Sequence, residues 1–289
     1  MTAKVRKAAV AGRWYPGSAQ ALTAAVDGHL STADRDVDGD LVALIAPHAG
    51  LVYSGPVAAH AYRLVRDRRF DVAVLVGPSH VAGFDGVSLF ASGGFDSPLG
   101  VAAIDSDCAQ ALLALRTIVR DDPAAHAREH SLEMQLPFLQ RLAPAIRIVP
   151  LLMGYQTAAT ARALGDALAE ALRGRRALLI ASTDLSHYHD AATAAALDRV
   201  VIDCVARFDA DALQAALDAR PDHACGGGPT VAVMRAARLL GARDALVLDY
   251  ADSGDVSGDK SAVVGYLAAA FGTFENLATT ADTEVKSQA

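Results

Sequence analysis

The sequence predicts a single α/β domain with a mostly parallel or mixed central sheet and helices on both faces. The first observation is that short, apolar, β-branched runs recur along the 289-residue chain, separated by Ala- and Leu-rich stretches with helical spacing. Strands that alternate with helices in this way form sheets covered on both sides. The second observation is that these runs are almost continuously apolar, which together with 52% hydrophobic residues overall indicates two buried faces.

The predicted elements follow from these patterns in chain order. Six apolar runs are predicted to be buried strands: 41–46, 72–76, 146–153, 177–181, 245–248 and 262–266. Seven stretches with helical spacing are predicted to cover them: 18–31, 55–68, 106–116, 131–143, 157–173, 191–207 and 229–241.

The stretch 86–100 differs from this pattern. Two strand-like pieces flank Gly93-Gly94, and Pro98 excludes a central strand, so an inserted hairpin is expected. No linker or composition shift marks a second domain, so residues 1–275 are predicted to form one domain. Residues 276–289 are predicted to be a polar, disordered tail.

Charge, apolar content and cysteine number exclude several classes of protein. A net charge of −7 argues against nucleic-acid binding, which needs clustered Lys and Arg. Every apolar run is shorter than the ~18 to 20 residues of a membrane-spanning helix, and the first residues lack the apolar region of a signal peptide. Three scattered cysteines cannot form a disulfide framework. A protein of the reducing cytoplasm, without membrane contact, is therefore expected.

Three histidines come shortly after three predicted strands. His48 follows the strand 41–46 in a Pro-His-Ala-Gly turn, His80 follows the strand 72–76, and His187 follows the strand 177–181. Ligands of open α/β sheets bind beyond the carboxyl ends of the strands, so the three imidazoles are expected to converge on one edge. Imidazoles held in constrained turns suit a divalent transition metal. The alternative is that each is a loop residue that hydrogen-bonds to a neighbour.

Cys225 is the candidate for a third metal ligand. The glycines at 226–228 allow positive φ or a close approach of the backbone to a ligand, and Pro229 can open a helix. A thiol beside exposed amides and a helix N-terminus is expected to have a lowered pKa, which suits a metal thiolate or a nucleophile. The alternative is a small buried hydrophobe, which is the interpretation preferred for Cys108 and Cys204.

Other polar residues near the predicted strand ends are also candidates. Asp184 and His187 are spaced as Asp-x-x-His, so the carboxylate can orient the imidazole or act with it in proton transfer. His130 lies where polar residues open an amphipathic helix, and a site role is weighed equally against capping by Ser131 and surface roles for the charged neighbours. The sequence contains no GxGxxG, HExxH or GxSxG motif, which disfavours nucleotide binding and α/β-hydrolase chemistry.

Six separated motifs, in the same order, resemble the Memo family, which is called AmmeMemoRadiSam system protein B in prokaryotes. The resemblance covers about residues 6–270. The motifs are AGRWYP at 11–16, PHAG at 47–50 with YSG at 53–55, GPSH at 77–80, EHSLEMQLPF at 129–138, STDLSHY at 182–188 and CG at 225–226. That family is similar in fold to class III extradiol dioxygenases, which are non-haem iron enzymes that open catechol rings.

The resemblance implies that His48, His80 and Cys225 bind a divalent transition metal, with Asp184 and His187 in the same cleft. In the dioxygenases the third iron ligand is a carboxylate, whereas here Cys225 stands at the matching position. A thiolate is softer and oxidisable, so copper and zinc join iron as candidate metals, with iron first. The residues assigned to the lining of this cleft are Trp14, Tyr53, His130 and Gly226.

Three functions are compatible with these residues. The first is a metal-dependent oxidoreductase for a small aromatic or chelating substrate, with His187 as acid/base oriented by Asp184. The second is a non-catalytic metal- or peptide-binding module that acts with a radical SAM enzyme and a small companion protein, as the prokaryotic name implies. The third is a thiol-dependent hydrolase with Cys225 as nucleophile and His187 as base, ranked last because it leaves His48 and His80 without a role.

Overall fold

Strands and helices alternate along most of the chain in a computed structural model, which describes residues 4–34 and 36–275. The strands are β1 (Val5–Arg6), β2 (Gly39–Ala46), β3 (Val72–Pro78), β4 (Val87–Leu89), β5 (Gly94–Ser97), β6 (Gly100–Ala103), β7 (Val119–Asp121), β8 (Arg147–Met153), β9 (Ala177–Ser182), β10 (His187–His189), β11 (Asp244–Asp252) and β12 (Val263–Phe274). The α-helices are α1 (Ala19–Thr32), α2 (Leu51–Arg63), α3 (Ser106–Ala114), α4 (Leu136–Leu142), α5 (Ala158–Ala171), α6 (Ala191–Ala206), α7 (Ala210–Ala219), α8 (Gly227–Leu239) and α9 (Gly254–Ser257).

Nine of the described strands form one mixed sheet, in the order β10-β12-β2-β9-β3-β8-β4-β7, with β11 paired to β12. The four central strands β2, β9, β3 and β8 are parallel. Their neighbours β12 and β4 run antiparallel to them. The predicted α/β class with a mixed sheet and helices around it is confirmed, and the carboxyl ends of the four central strands share one edge.

The apolar character of the strands follows from burial on both faces. In β2, Ala43 and Ile45 belong to the core on one face, and Leu44 and Ala46 belong to the core on the other. Alternate side chains of a strand point to opposite faces, so a strand covered on both sides needs apolar residues at every position. No helix in the described ranges combines the length and apolar character needed to cross a membrane.

The predicted hairpin exists but lies further along the chain. It joins β5 to β6, and together with β1 it forms a separate three-stranded sheet. The two pieces that flank Gly93-Gly94 do not pair with each other, because β4 belongs to the main sheet beside β8. Gly93 has φ +99°, and a Cβ there would lie 1.8 Å from the carbonyl oxygen of Lys4. This close approach to the residue before β1 explains why the chain changes sheet at a glycine.

Several predicted boundaries are wrong. The helix predicted from residue 55 begins at Leu51, so Pro56 lies inside it. The helix predicted for 131–143 starts as a 3₁₀ turn at Glu133–Gln135 and becomes α-helical only at Leu136. The short elements β7, β10, α7 and α9 were not predicted. The tail predicted for 276–289 lies outside the described residues.

His126 is a buried, neutral histidine at the junction of the two sheets. Its side chain is surrounded by Phe90 and Phe95, each with ring centroids 5.8 Å away, and Nε2–H donates to the carbonyl of Ser88 at 3.2 Å. Burial lowers the pKa of His126 to about 3. The unfolded chain takes up this proton near pH 6.5 and the folded chain only near pH 3, so the stability that the neutral form contributes is lost as the pH falls between these values.

We therefore expect the free energy of unfolding to fall less steeply with acidification in His126→Leu than in the wild type. The difference between the two declines should reach up to about 2 kcal/mol between pH 7 and pH 5, since one pKa unit corresponds to about 1.4 kcal/mol. Denaturant unfolding of the two proteins at pH 7 and at pH 5 measures this difference. The packing cost of the substitution cancels, because it is the same at the two pH values. Equal declines in the two proteins would contradict this account.

Candidate metal centre

The candidate site lies at the carboxyl ends of three neighbouring parallel strands. His48, His80 and Asp184 each come two residues after the end of a strand, namely β2, β3 and β9. Because β9 lies between β2 and β3, these residues meet at one point of the sheet edge. Cys225 reaches the same point from the loop before α8, where its backbone N–H donates to the carbonyl of Asp184 at 3.1 Å.

The three predicted ligands come together in this position. One donor atom each from His48, His80 and Cys225 can be chosen so that all three lie within 4.8 Å of one another. The Nε2 atom of His48 is 3.3 Å from the Cys225 sulfur, and the two imidazole centroids are 5.2 Å apart. Donors of a tetrahedral site with metal–ligand bonds of about 2.0 to 2.3 Å lie roughly 3.5 Å apart. The cluster therefore has the size and the donor chemistry of a transition-metal site.

Glu129 orients the imidazole of His80. The Nδ1 atom of His80 is 2.9 Å from Glu129 Oε1, and the same oxygen accepts the backbone N–H groups of His130 and Ser131 at 2.8 and 2.9 Å. Burial by itself raises the pKa of Glu129, but the hydrogen bonds from His80 and the backbone outweigh it and hold the pKa well below its usual value. The ionised carboxylate accepts from Nδ1–H, which leaves Nε2 of His80 free to ligate a metal.

Buried polar groups surround His48 as well. The Nδ1 atom of His48 is 2.9 Å from Ser182 Oγ, and Gln135 Nε2 donates to the same hydroxyl at 2.7 Å. The backbone N–H of His48 donates to Asp184 Oδ1 at 2.7 Å. Burial raises the pKa of Asp184, although this hydrogen bond acts in the opposite direction. The Asp184 carboxyl thus holds the turn that carries His48.

In the described part of the chain, the Asp184 carboxyl and the His187 imidazole are each hydrogen-bonded to the main chain, so the orientation of His187 by Asp184 stays a prediction. The Nδ1 atom of His187 donates to the carbonyl of Leu185 at 2.7 Å, within its own turn. The Asp184 carboxyl is engaged instead with the backbone N–H groups of His48 and Ala49. The imidazole of His187 is half-buried and held by the main chain, and its catalytic role stays a prediction.

The expected lowering of the Cys225 pKa is wrong. Burial, followed by the nearby Asp184 carboxyl, raises the pKa of this thiol. The amides that were expected to stabilise a thiolate are occupied, because Gly226 N–H donates to Thr183 Oγ1 at 2.9 Å and Gly228 N–H donates to Gln156 Oε1 at 2.8 Å. The thiol is therefore neutral by itself, and a bound metal would supply the charge that ionises it.

Gly226 allows the cysteine to approach strand β9. Its φ is −109°, so the glycine is not needed for a left-handed backbone. A Cβ at this position would lie 2.4 Å from the carbonyl oxygen of Ser182 and 2.8 Å from Thr183 Cβ. The sequence left two explanations for the glycines after Cys225, positive φ or a close approach of the backbone. Gly226 is explained by the close approach.

Of the remaining predicted cleft residues, His130 lies beside His80, and Trp14 lies beside His130. The ring of His130 stacks on His80 with centroids 4.6 Å apart, and the centroid of the Trp14 ring lies 4.2 Å from that of His130. Trp14 is 37% exposed, and Tyr53 in the first turn of α2 is 40% exposed. The carbonyl of Trp14 accepts the N–H of Leu51, which ties the first segment to the start of α2.

The polar residues of the segment 129–135 take a larger part in the site than their sequence pattern indicates. Glu129, Ser131, Glu133 and Gln135 are all buried, whereas surface roles were weighed for the charged residues. The sequence signal for this buried role is the density of polar side chains immediately before the apolar LPF at the start of α4. Ser182 was also not identified as a site residue, and its signal was a hydroxyl at the end of an otherwise apolar strand.

The fold and the site together define the class of protein: an α/β domain in which two imidazoles follow neighbouring parallel strands and one thiol joins them from the loop before α8. The sequence profile described as Memo-like protein matches residues 6–270, and the chain belongs to this family. The predicted Memo resemblance is confirmed.

The chain is similar in sequence to archaeal members of the family. It is 40% identical over 272 residues to the MEMO1 family protein MTH_45 of Methanothermobacter thermautotrophicus, with 91% of this chain and 98% of that protein covered. It is 37% identical over 278 residues to the MEMO1 family protein MK0963 of Methanopyrus kandleri, with 92% and 98% covered. Among solved structures, the uncharacterized protein JW3007 from Escherichia coli K12 matches with a TM-score of 0.54 and 17% identity, covering 78% of this chain and 99% of that chain. The last comparison supports the fold alone.

Proposed function

We propose that the cleft binds one divalent transition metal through His48, His80 and Cys225, with iron as the first candidate and copper or zinc as alternatives. The observation that carries this proposal is that their donor atoms lie within 4.8 Å of one another at the end of the sheet. A bound metal would supply Lewis acidity or redox chemistry at this point. Three protein ligands leave room for a substrate. The free thiols of the chain agree with a reducing compartment, and we place the protein in the cytoplasm.

The function that we favour is a non-haem, metal-dependent oxidoreductase related to the extradiol dioxygenases. Trp14 offers an exposed aromatic face beside His130, and Tyr53 is exposed in the first turn of α2, which suits a small aromatic or chelating substrate. The Nδ1 atom of His187 is held by a carbonyl, so Nε2 is the atom that exchanges a proton with a substrate. Asp184 keeps the His48 turn in place through its backbone bond.

Oxygen uptake tests this function. The protein is reconstituted with Fe(II) under anaerobic conditions and then exposed to oxygen with a panel of catechols. We expect uptake that requires both the metal and a catechol and that is lost in Cys225→Ala. Stoichiometric iron binding without oxygen uptake for any catechol would contradict the oxidoreductase and leave metal binding intact.

A second candidate is a non-catalytic metal- or peptide-binding module that acts with a radical SAM enzyme and a small companion protein. A cavity of about 600 Å³ beside Trp14 favours it, because its lining includes apolar residues such as Ala24, Ala25, Leu51 and Val52. Pull-down with the neighbouring gene products separates the candidates: a stable complex without turnover supports the module.

The thiol-dependent hydrolase has the least support. The Cys225 sulfur lies against His48 Nε2 and the backbone of Asp184, while the His187 imidazole is bonded within its own turn. A hydrolase would lose activity with iodoacetamide and keep it with chelators, whereas the metal proposal expects chelators to abolish activity.

A further inference from the structure

We infer that Ser182 and Gln135 are positioning residues that hold His48 in a single tautomer, with the proton on Nδ1 and the lone pair of Nε2 directed at Cys225. This inference rests on the proposed metal site, since it states how one of the ligands is prepared. A metal-binding imidazole must present an unprotonated nitrogen, and the hydrogen bond at the other ring nitrogen decides which one that is.

The hydroxyl of Ser182 has three polar neighbours, and their chemistry fixes its proton. It donates to the carbonyl oxygen of Ser131 at 2.6 Å, because a carbonyl can only accept. The amide nitrogen of Gln135 donates to the hydroxyl at 2.7 Å. A hydroxyl has one proton to give, and that proton is used at Ser131, so the contact of 2.9 Å with His48 Nδ1 requires the imidazole to donate.

Gln135 is oriented by partners that exclude the flipped amide. Its Oε1 accepts the hydroxyl of Tyr62 at 2.7 Å, and its Nε2 also donates to the carbonyl of Pro47 at 3.1 Å. A flipped amide would place its oxygen against the Pro47 carbonyl and would compete with Ser131 for the Ser182 proton. The direction of donation is therefore set from Tyr62 through Gln135 and Ser182, independently of His48.

Burial makes this arrangement effective. Tyr62, Gln135 and Ser182 are fully buried, and His48 is 2% exposed, so water does not offer the imidazole another partner. An apolar side chain at position 135 could fill the same space without any hydrogen-bond requirement. The amide contributes what an apolar side chain cannot, which is a donor that fills one lone pair of the Ser182 hydroxyl, while the Ser131 carbonyl takes its proton and the other lone pair accepts from His48.

The segment 129–135, which contains Gln135 and Ser131, also orients the imidazole of His80. Glu129 receives the Nδ1–H of His80, and Gln135 and the Ser131 carbonyl act on His48 through Ser182. The two histidines therefore present Nε2 by different means, one beside a carboxylate and the other beside a neutral hydroxyl. A neutral partner at His48 avoids placing a further anion beside Cys225.

Nitrogen NMR of the metal-free, ¹⁵N-histidine-labelled protein tests the inference without using activity. The His48 signals are identified by their loss in His48→Gln. We expect a proton-bearing Nδ1 and an unprotonated Nε2 in the wild type. Ser182→Ala should show a mixture of tautomers and should raise the Co(II) dissociation constant about 10- to 100-fold, the usual effect of losing an outer-shell partner. Gln135→Leu should change the tautomer population of His48 and the Co(II) dissociation constant in the same direction, but by a smaller amount.

Ser88→Ala is the matched control, because Ser88 is also a buried serine whose hydroxyl donates to a carbonyl, that of Asp122, away from His48. It should keep both the tautomer and the Co(II) affinity. A protonated Nε2 in the wild type overturns the inference whether or not the variants fold, and so does a Ser182→Ala protein with an unchanged spectrum. Wild-type protein that has the expected tautomer but binds no Co(II) contradicts the proposed metal site and leaves the positioning intact.

Discussion

Replacing Glu133 by alanine is expected to lower the free energy of unfolding by about 3–5 kcal/mol, the range found when one partner of a buried ion pair is removed. Glu133 is fully buried, and it pairs with the guanidinium of Arg6. It also accepts the backbone N–H groups of Ala9 and Val10 at 2.7 and 3.0 Å and the hydroxyl of Tyr15 at 2.7 Å. The variant leaves a buried cation and three donors without their acceptor.

The loss of stability in Glu133→Ala should extend from the N-terminal segment to the candidate metal centre. Arg6 also donates to the carbonyls of His126 and Glu129, so it connects the first strand to the segment that orients His80. Denaturant unfolding measures the effect. Asp27→Ala is the control, since its ion pair with Arg141 is exposed and worth at most about 1 kcal/mol. Similar losses in the two variants would show that the Glu133 cluster is not a structural anchor.

The second large effect is expected at Cys225. Protein purified without a His-tag should contain about one equivalent of transition metal, and Cys225→Ser should lose it. Loss of a direct ligand should weaken binding by more than the ~10- to 100-fold that an outer-shell partner contributes. The substitution keeps the size and removes the soft donor, while the neighbouring His48 and His80 stay in place.

Cys204→Ser is the matched control for this variant. Cys204 is buried in α6, and its sulfur accepts from Arg207 at 3.7 Å, outside the candidate ligand cluster. It should retain the full metal content, as measured by elemental analysis. Equal metal content in the two variants would mean that the metal does not depend on the Cys225 thiol.

The order of strands and helices could be predicted because each buried strand carries its own signature. A strand covered on both faces, such as β3, is apolar at every position, and no distant partner is needed to recognise it. The hairpin was misplaced for the opposite reason. The assignment of β4 to the main sheet depends on its pairing with β8, which is more than 50 residues away in sequence.

The candidate ligands could be predicted for a similar reason, because His48 and His80 directly follow recognisable strands. Their supporting residues could not. The proton balance at Ser182 depends on Gln135 and Ser131, which come from another segment and meet it only in the folded chain. The raised pKa of Cys225 likewise depends on burial and on the Asp184 carboxyl, and both arise only when the loop before α8 packs against the end of β9.

X-ray absorption spectroscopy of the metal-loaded protein tests the central claim most directly, because it reports the atoms bound to the metal. The account predicts one sulfur scatterer together with the multiple-scattering pattern of two imidazoles, and loss of the sulfur scatterer in Cys225→Ser. A first shell of oxygen and nitrogen alone in the wild type, or a protein that takes up no metal, would contradict a His₂Cys centre formed by His48, His80 and Cys225.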